Sequence, residues 1–174
     1  MLEQIESKRL ILVPFTAKLM RLALHDKAEL KEALGVDIPD DWPNPDAAEL
    51  FTMLLEASEK DPTREVWNGL IIHKELRMLI GDMGLKDGPD ASGTVDIGYS
   101  IVPQYWNHGY ATEMAKTLVA WAFEQPGIQK VTADCAKENI GSIRVLEKLG
   151  MRQTEPTEDL LNWSLTKEEW HASR

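Results

Sequence analysis

Residues 94 to 136 constrain this chain most. TVDIGYSIV (94–102) has the composition and length of a strand, and Pro103 ends its pairing. A polar loop containing WNHGYA follows, with one glycine, Gly109. A long helix comes next, with Met114, Leu118 and Ala122 on one face, and QPGIQK links it to a second strand, KVTADCA. A strand–helix–strand crossover joins parallel neighbours in one sheet. The helix start exposes N–H groups with no partner inside the helix, and it is the positive end of the helix dipole. Together these make an anion site. Gly109 allows a sharp turn and a close ligand approach without a Cβ, and Ala111 is nearly as small. The spacing matches neither GxGxxG nor GxxxxGK[ST], so neither the dinucleotide fingerprint nor the P-loop is present. From these residues alone, a plain turn glycine is the simpler account.

The flanking segments complete one mixed α/β domain over residues 1–174. RLILVP (9–14) reads as a strand, and residues 16–34 as one helix broken near His25 or two short ones. GVDIPDDWPNPD is a loop, after which Asn44 and Pro45 suit a helix cap and first position. Leu50, Met53, Leu54 and Ala57 are that helix's expected buried stripe, with Pro62 marking its end. Residues 66–73 and 78–85 read as a hairpin. ENIGSIRVLEKLGM reads as a helix with Ile143, Leu146 and Leu149 inward, and LLNWSLT (160–166) as the last strand. The expected fold class is α/β (α+β): six to seven strands in a mixed, mostly antiparallel twisted sheet flanked by helices.

Charge and cysteine content bound the partners. The formal charge is −10 with basic residues scattered, which argues against nucleic acid and favours a cationic partner such as an amine. The apolar runs fall far short of a membrane span, and MLEQIESKRL lacks a signal core. With the single Cys135, these features suggest a cytoplasmic protein without an internal disulfide. The four histidines lack metal spacing, so no metal site is expected.

IGYSIVPQYWNHGYATEM, followed after one strand by ENIGSIRVLEKLGM, resembles the GNAT acyltransferase superfamily, and within it the ribosomal-protein N-acetyltransferase branch. That branch shows IGY at a strand end, then YWGKGYATEA, then N-x-x-S-x-x-V-x-E-K-x-G-F. The corresponding residues here are Ile97 to Tyr99, Tyr105 to Met114, and Asn139 to Met151. SKRLILVP and NWSLTKEEW resemble the branch's two ends, and the likeness weakens over residues 25 to 65. The resemblance implies a sheet splayed between its fourth and fifth strands, and acetyl-CoA as cosubstrate. The superfamily's pyrophosphate loop, R/Q-x-x-G-x-G/A, falls on residues 106 to 111, with Trp106 in place of Arg or Gln. Its donors would be the backbone N–H groups of Asn107, His108, Gly109, Tyr110, Ala111 and Thr112.

Acetyl transfer to an amine needs a base, a polarised thioester carbonyl and a stabilised thiolate. A free N–H near Ile101 or Val102, where the strands part, is the candidate for the carbonyl. Asp96 matches a position where the branch often carries Glu, and is the candidate base, acting directly or through water. The Tyr that many relatives place before the E-K pair is Leu146 here, so Ser142 is the candidate thiolate donor. Asn139, one helical turn away, would bond the pantetheine chain. Lys116, Lys137, Arg144 and Lys148 are candidates for the phosphates, and Trp42, Trp67 and Tyr99 for either core or acceptor side. The implied activity is N-acetyl transfer to a primary amine: a protein N-terminus, a polyamine or an aminated small molecule. The alternative is a module that holds acyl-CoA without turnover. The Trp-bearing tail suits either a homodimer face or the packing of the last strand.

Overall fold

The computed structural model describes residues 1–63 and 66–174. The chain opens with a short antiparallel pair, β1 (Ile5–Glu6) and β2 (Leu10–Pro14). The break near His25 is a boundary between α1 (Ala17–His25) and α2 (Lys27–Leu34), where Asp26 closes one helix and caps the next through Glu29 N–H. α3 (Pro45–Lys60) begins at the expected cap, Asn44 accepting from Ala47 N–H. The hairpin is β3 (Asn68–His73) and β4 (Met78–Gly84).

The strand expected over 94–102 is divided. β5 (Thr94–Asp96) pairs in parallel with β7 (Lys130–Ala136), and Ile97 N–H continues that pairing to Thr132 O at 2.9 Å. β6 (Gly98–Ile101) instead pairs antiparallel with β4, from Gly84↔Gly98 to Gly81↔Ile101. One sheet therefore runs β1-β2-β3-β4-β6, and the other β5-β7-β9-β8, with β8 (Arg152–Gln153) and β9 (Leu160–Thr166). The expected splay opens where one continuous stretch changes partner, just after Ile97. α4 (Tyr110–Glu124) crosses over between the parted strands, and α5 (Ile140–Lys148) follows β7.

Helices cover both faces of the first sheet, giving a layered arrangement. On one face Ile71, Ile80 and Met83 join Met114, Leu118 and Ala122 of α4 in the larger core. On the other, Leu70 and Leu79 join Phe15, Leu30, Trp42 and Phe51 from the α1–α3 layer. Burying a side chain of this size stabilises the fold by about 1.5–3 kcal/mol. The buried stripe of α3 is only partly the expected one: Leu54 packs on the core, but Phe51 and Leu55 are its buried residues, while Leu50 and Met53 are 49% and 62% exposed. An aromatic cluster sets the helix's rotation. Phe51 meets Phe15 edge-on at 4.8 Å and Trp42 at 5.7 Å. β1, β8 and α6 (Lys167–Ala172) were not legible, the strands being too short to show a period. Trp163 and Trp170 are buried in the chain's own core, so the tail's tryptophans do not form an outward face. Among the described residues no helix is long and apolar enough to cross a membrane.

Candidate active site

The loop between β6 and α4 is built to present amides. Trp106 Nε1 donates to Ile101 O at 2.7 Å, tying the loop back onto the strand end. Asn107 and Gly109 both have left-handed φ, 61° and 79°, and such alternation turns successive N–H groups toward one side. α1, α2, α3, α5 and α6 each have a side chain accepting an N-terminal N–H. α4 starts at Gly109 with no such cap, so its first-turn amides are left for another acceptor.

Those amides open onto a cleft of about 680 Å³ between β6, the loop and α5. Tyr99, Ser100 and Ile101 line it from β6, and Trp106, Asn107, Gly109, Tyr110, Ala111 and Thr112 from the loop and helix start. Asn139, Ser142, Arg144 and Lys148 line it from α5. Asn139 Oδ1 accepts from Ser142 N–H at 3.1 Å, so the cap occupies its oxygen and leaves its NH₂ for a ligand. Arg144 and Lys148 supply cations, while Lys137 is turned to Glu158 O.

His108 and Val102, expected in the coenzyme set, fall outside the cleft. His108 stacks on the Tyr110 ring, 5.3 Å between centroids, and its Nδ1 is 2.7 Å from Trp106 O. Its side chain braces the loop and does not line the cleft. Val102 is buried in the α1–α3 core, and its N–H donates to Ile80 O at 2.8 Å, so it is no free donor. That bond also locates the free ones. Antiparallel pairing alternates, so Ser100 and Gly98 face β4 like Val102. The N–H groups of Tyr99 and Ile101 then point to the opposite edge, from which β7 has diverged.

Arg9 supports the loop from behind. Its Nη2 donates to His108 O at 3.0 Å, and its guanidinium lies 4.5 Å from the Tyr110 ring centre. Glu113, in the first turn of α4, accepts from Ser7 Oγ, Arg9 N–H and Arg9 Nε. Burial alone would raise the Glu113 carboxyl, but these bonds outweigh it and hold the pKa below the usual range.

Between β6 and α5 the cleft holds a residue whose chemical role the sequence left undecided. Ser142 Oγ donates to Tyr99 Oη at 3.3 Å, and Tyr99 Oη lies 3.5 Å from Ser142 O. A tyrosine hydroxyl thus enters the cleft from β6, while the helix position before Glu147 and Lys148 is the buried Leu146. Burial pushes the Tyr99 pKa up to about 12, only partly offset by the Ser142 hydrogen bond. It stays protonated at neutral pH and has an O–H to donate.

Asp96 does not line the coenzyme cleft. Lys86 Nζ pairs with it, and Thr132 Oγ1 donates to its Oδ2 at 2.8 Å. Lys86 also reaches Asp134 Oδ2 at 3.4 Å. Asp82 on β4 is the residue the sequence reading missed. It sits opposite Ser100 in the β4–β6 register and accepts a 3.4 Å hydrogen bond from Trp42 Nε1. Desolvation raises its pKa to about 7 against that bond's opposing effect. Its sequence signal is one aspartate inside an otherwise apolar strand, LIGDMGL. Trp42 is thus a core residue with its polar edge on Asp82, whereas Trp67 packs beside Trp121 in the other core.

Residues 9–152 match the model of the acetyltransferase (GNAT) domain. An uncharacterized N-acetyltransferase of Bacillus subtilis, YjdG, is 28% identical over 160 residues, covering 91% of this chain and 95% of that one. A GNAT-family acetyltransferase from Bacillus anthracis superposes with a TM-score of 0.68 at 22% identity, covering 95% of this chain and 99% of the other. RimL, a ribosomal L7/L12 alpha-N-protein acetyltransferase in complex with coenzyme A, does so with 0.66 at 15% identity, covering 96% and 99%. The uncapped helix start, the α5 cations and the shape of the cleft suit the phosphates and pantetheine of coenzyme A. The family's model spans most of the length around that cleft, and the chain belongs to the GNAT family of acetyl-CoA-dependent acetyltransferases.

Proposed function

We propose that this acetyltransferase acts on a cationic primary amine by direct attack in a ternary complex. The observation that carries the reading is the juxtaposition at the splay. One side holds the coenzyme cleft, with uncapped α4 amides and the free edge of β6. The strands there also carry Asp82, Asp96 and Asp134, with Lys86 bound to the last two. Carboxylates beside the transfer point and a net charge of −10 favour an ammonium-bearing acceptor. A protein N-terminus, a polyamine and an aminated small molecule all present one.

When bound, acetyl-CoA supplies the activated acyl group. The α4 amides, Asn139 NH₂, Arg144 and Lys148 hold its phosphates and pantetheine. The Ile101 N–H bonds the thioester carbonyl as negative charge develops on its oxygen. Ser142 and Tyr99 donate toward the departing sulfur once their mutual hydrogen bond reorients. Lys86 and Thr132 hold Asp96, the base expected from the sequence, in an ion pair and a hydrogen bond.

The test is to incubate the protein with acetyl-CoA and a panel of polyamines, N-terminal peptides and neutral-headed amines, following free thiol. Amine-dependent thiol release, strongest with cationic acceptors, is expected. Acetyl-CoA binding without amine-dependent release returns the non-catalytic alternative. Release only with neutral acceptors overturns the charge argument.

A further inference from the structure

We propose that Asp82 is the catalytic residue that takes the proton from the acceptor's ammonium. The inference rests on the amine-acetylating reading above and deepens it.

Three observations converge. First is position: Ser100 lines the cleft, and Asp82 is its partner across the β4–β6 ladder. Directly opposed residues put their side chains on the same face, with Cβ atoms about 4.5–5.5 Å apart. The Asp82 carboxylate does not itself line the cleft; it is one side chain away from it, on the face covered by the α1–α3 layer. Second is availability. Trp42 Nε1 bonds Oδ2, and among the described residues no cation pairs with either oxygen. Asp96, by contrast, has Lys86 on one oxygen and Thr132 on the other. Third is proton affinity. A carboxyl with a pKa near 7 is poised to exchange a proton at neutral pH, whereas an ordinary one is a weak base for an ammonium. β3 presents Leu70 to Asp82, β6 presents Ser100 and the 35–44 loop presents Trp42. The loop's charges are Asp37, paired with Lys31, and Asp40 and Asp41 flanking Trp42. Lys27 spans to Pro39 O and Asp40 O. None of them contributes to the shift, which comes from desolvation against the Trp42 bond.

The step balances. The ammonium N–H bond breaks, its proton goes to an Asp82 oxygen, and the freed lone pair forms the C–N bond at the thioester carbon. The C–S bond breaks as the tetrahedral adduct collapses, and the second amine proton goes to the departing sulfur, giving free coenzyme A thiol. Asp82 then returns its proton to solvent.

The experiment measures kcat/KM for an alkyl amine against pH in the wild type, Asp82→Asn and Asp96→Asn, with acetyl-CoA affinity and Tm as controls. The wild type is expected to show an acid limb near pH 7. Asp82→Asn should lose that limb, fall about 10²-fold at neutral pH, and recover as pH approaches the amine's own pKa. Its acetyl-CoA affinity should be unchanged. A loss equal at every pH, or the pH-selective loss appearing in Asp96→Asn instead, overturns the proposal. If Asp82→Asn no longer binds acetyl-CoA, Trp42→Phe takes its place. Removing the Nε1 donor should move the acid limb to higher pH, and an unmoved limb overturns the proposal. If no amine supports turnover in the wild type, the functional reading fails first, and that outcome is distinct.

Discussion

Asp82→Asn should stabilise this protein, and by an amount that grows with pH. The Asp82 carboxyl has a pKa of about 7 in the folded chain against an ordinary value of 3.8. Between those two pH values the folded chain holds a proton that the unfolded chain has released. Raising the pH through that window therefore favours unfolding. The span is about three pH units, and at 1.36 kcal/mol per unit the wild type loses up to about 4 kcal/mol across it. Asn does not titrate, keeps an acceptor for Trp42 Nε1, and carries no desolvated charge. The variant's advantage should be small near pH 4 and reach a few kcal/mol by about pH 8. For a chain of this size that corresponds to roughly 10 °C in Tm. Thermal melts of both proteins at about pH 4.5, 6 and 8 make the comparison. Glu113, Asp90 and Glu169 have lowered pKa values and lose stability in acid, but they do so equally in both proteins and cancel in the difference. A Tm difference that stays constant with pH would refute the claim that Asp82 is held protonated by its surroundings.

Four further outcomes are expected. A Cβ added at Gly109 meets Arg9 Nη2 at 3.6 Å, an ordinary contact, so the main cost of Gly109→Val is the left-handed φ of 79°. A strain of about 1–3 kcal/mol at that turn should weaken acetyl-CoA binding at least ~10-fold by calorimetry, and unchanged affinity would refute the loop's role. Arg9→Ala removes the brace on His108 O and a donor to Glu113, and should raise the acetyl-CoA Kd several-fold while leaving the amine KM alone. Tyr99→Phe should lower kcat several-fold without a change in pH profile, since a hydroxyl with pKa about 12 does not titrate in the assay range. Asp96→Ala frees Lys86, and a loss confined to moderate pH would assign Asp96 the base, whereas a pH-independent loss marks it as the anchor of Lys86.

The donor half of the site was legible because it is written locally and in backbone. A helix start needs N–H acceptors wherever it occurs, but one glycine in WNHGYA is as simply a turn, and the loop became readable as a ligand loop only beside the second motif, Asn139 to Gly150. Asn139 and Ser142 sit one turn apart on a single helix and needed no tertiary knowledge to be grouped. The splay was legible in outline. Its position at Ile97 was not, because a change of strand partner leaves no mark on the alternation of TVDIGYSIV. Val102 fails because membership in the right segment says nothing about the direction of an amide, and its N–H is spent on Ile80. The His108 ring turns onto Tyr110, so only its backbone is left to serve the loop. The acceptor half depends on layers distant in sequence. The properties of Asp82 arise from Trp42, forty residues earlier, and from a sheet register that sets it opposite Ser100. Desolvation belongs to that assembled environment and to no residue in it. A lone aspartate in LIGDMGL could signal strain or function, but its chemistry became readable only once both faces of the sheet were covered.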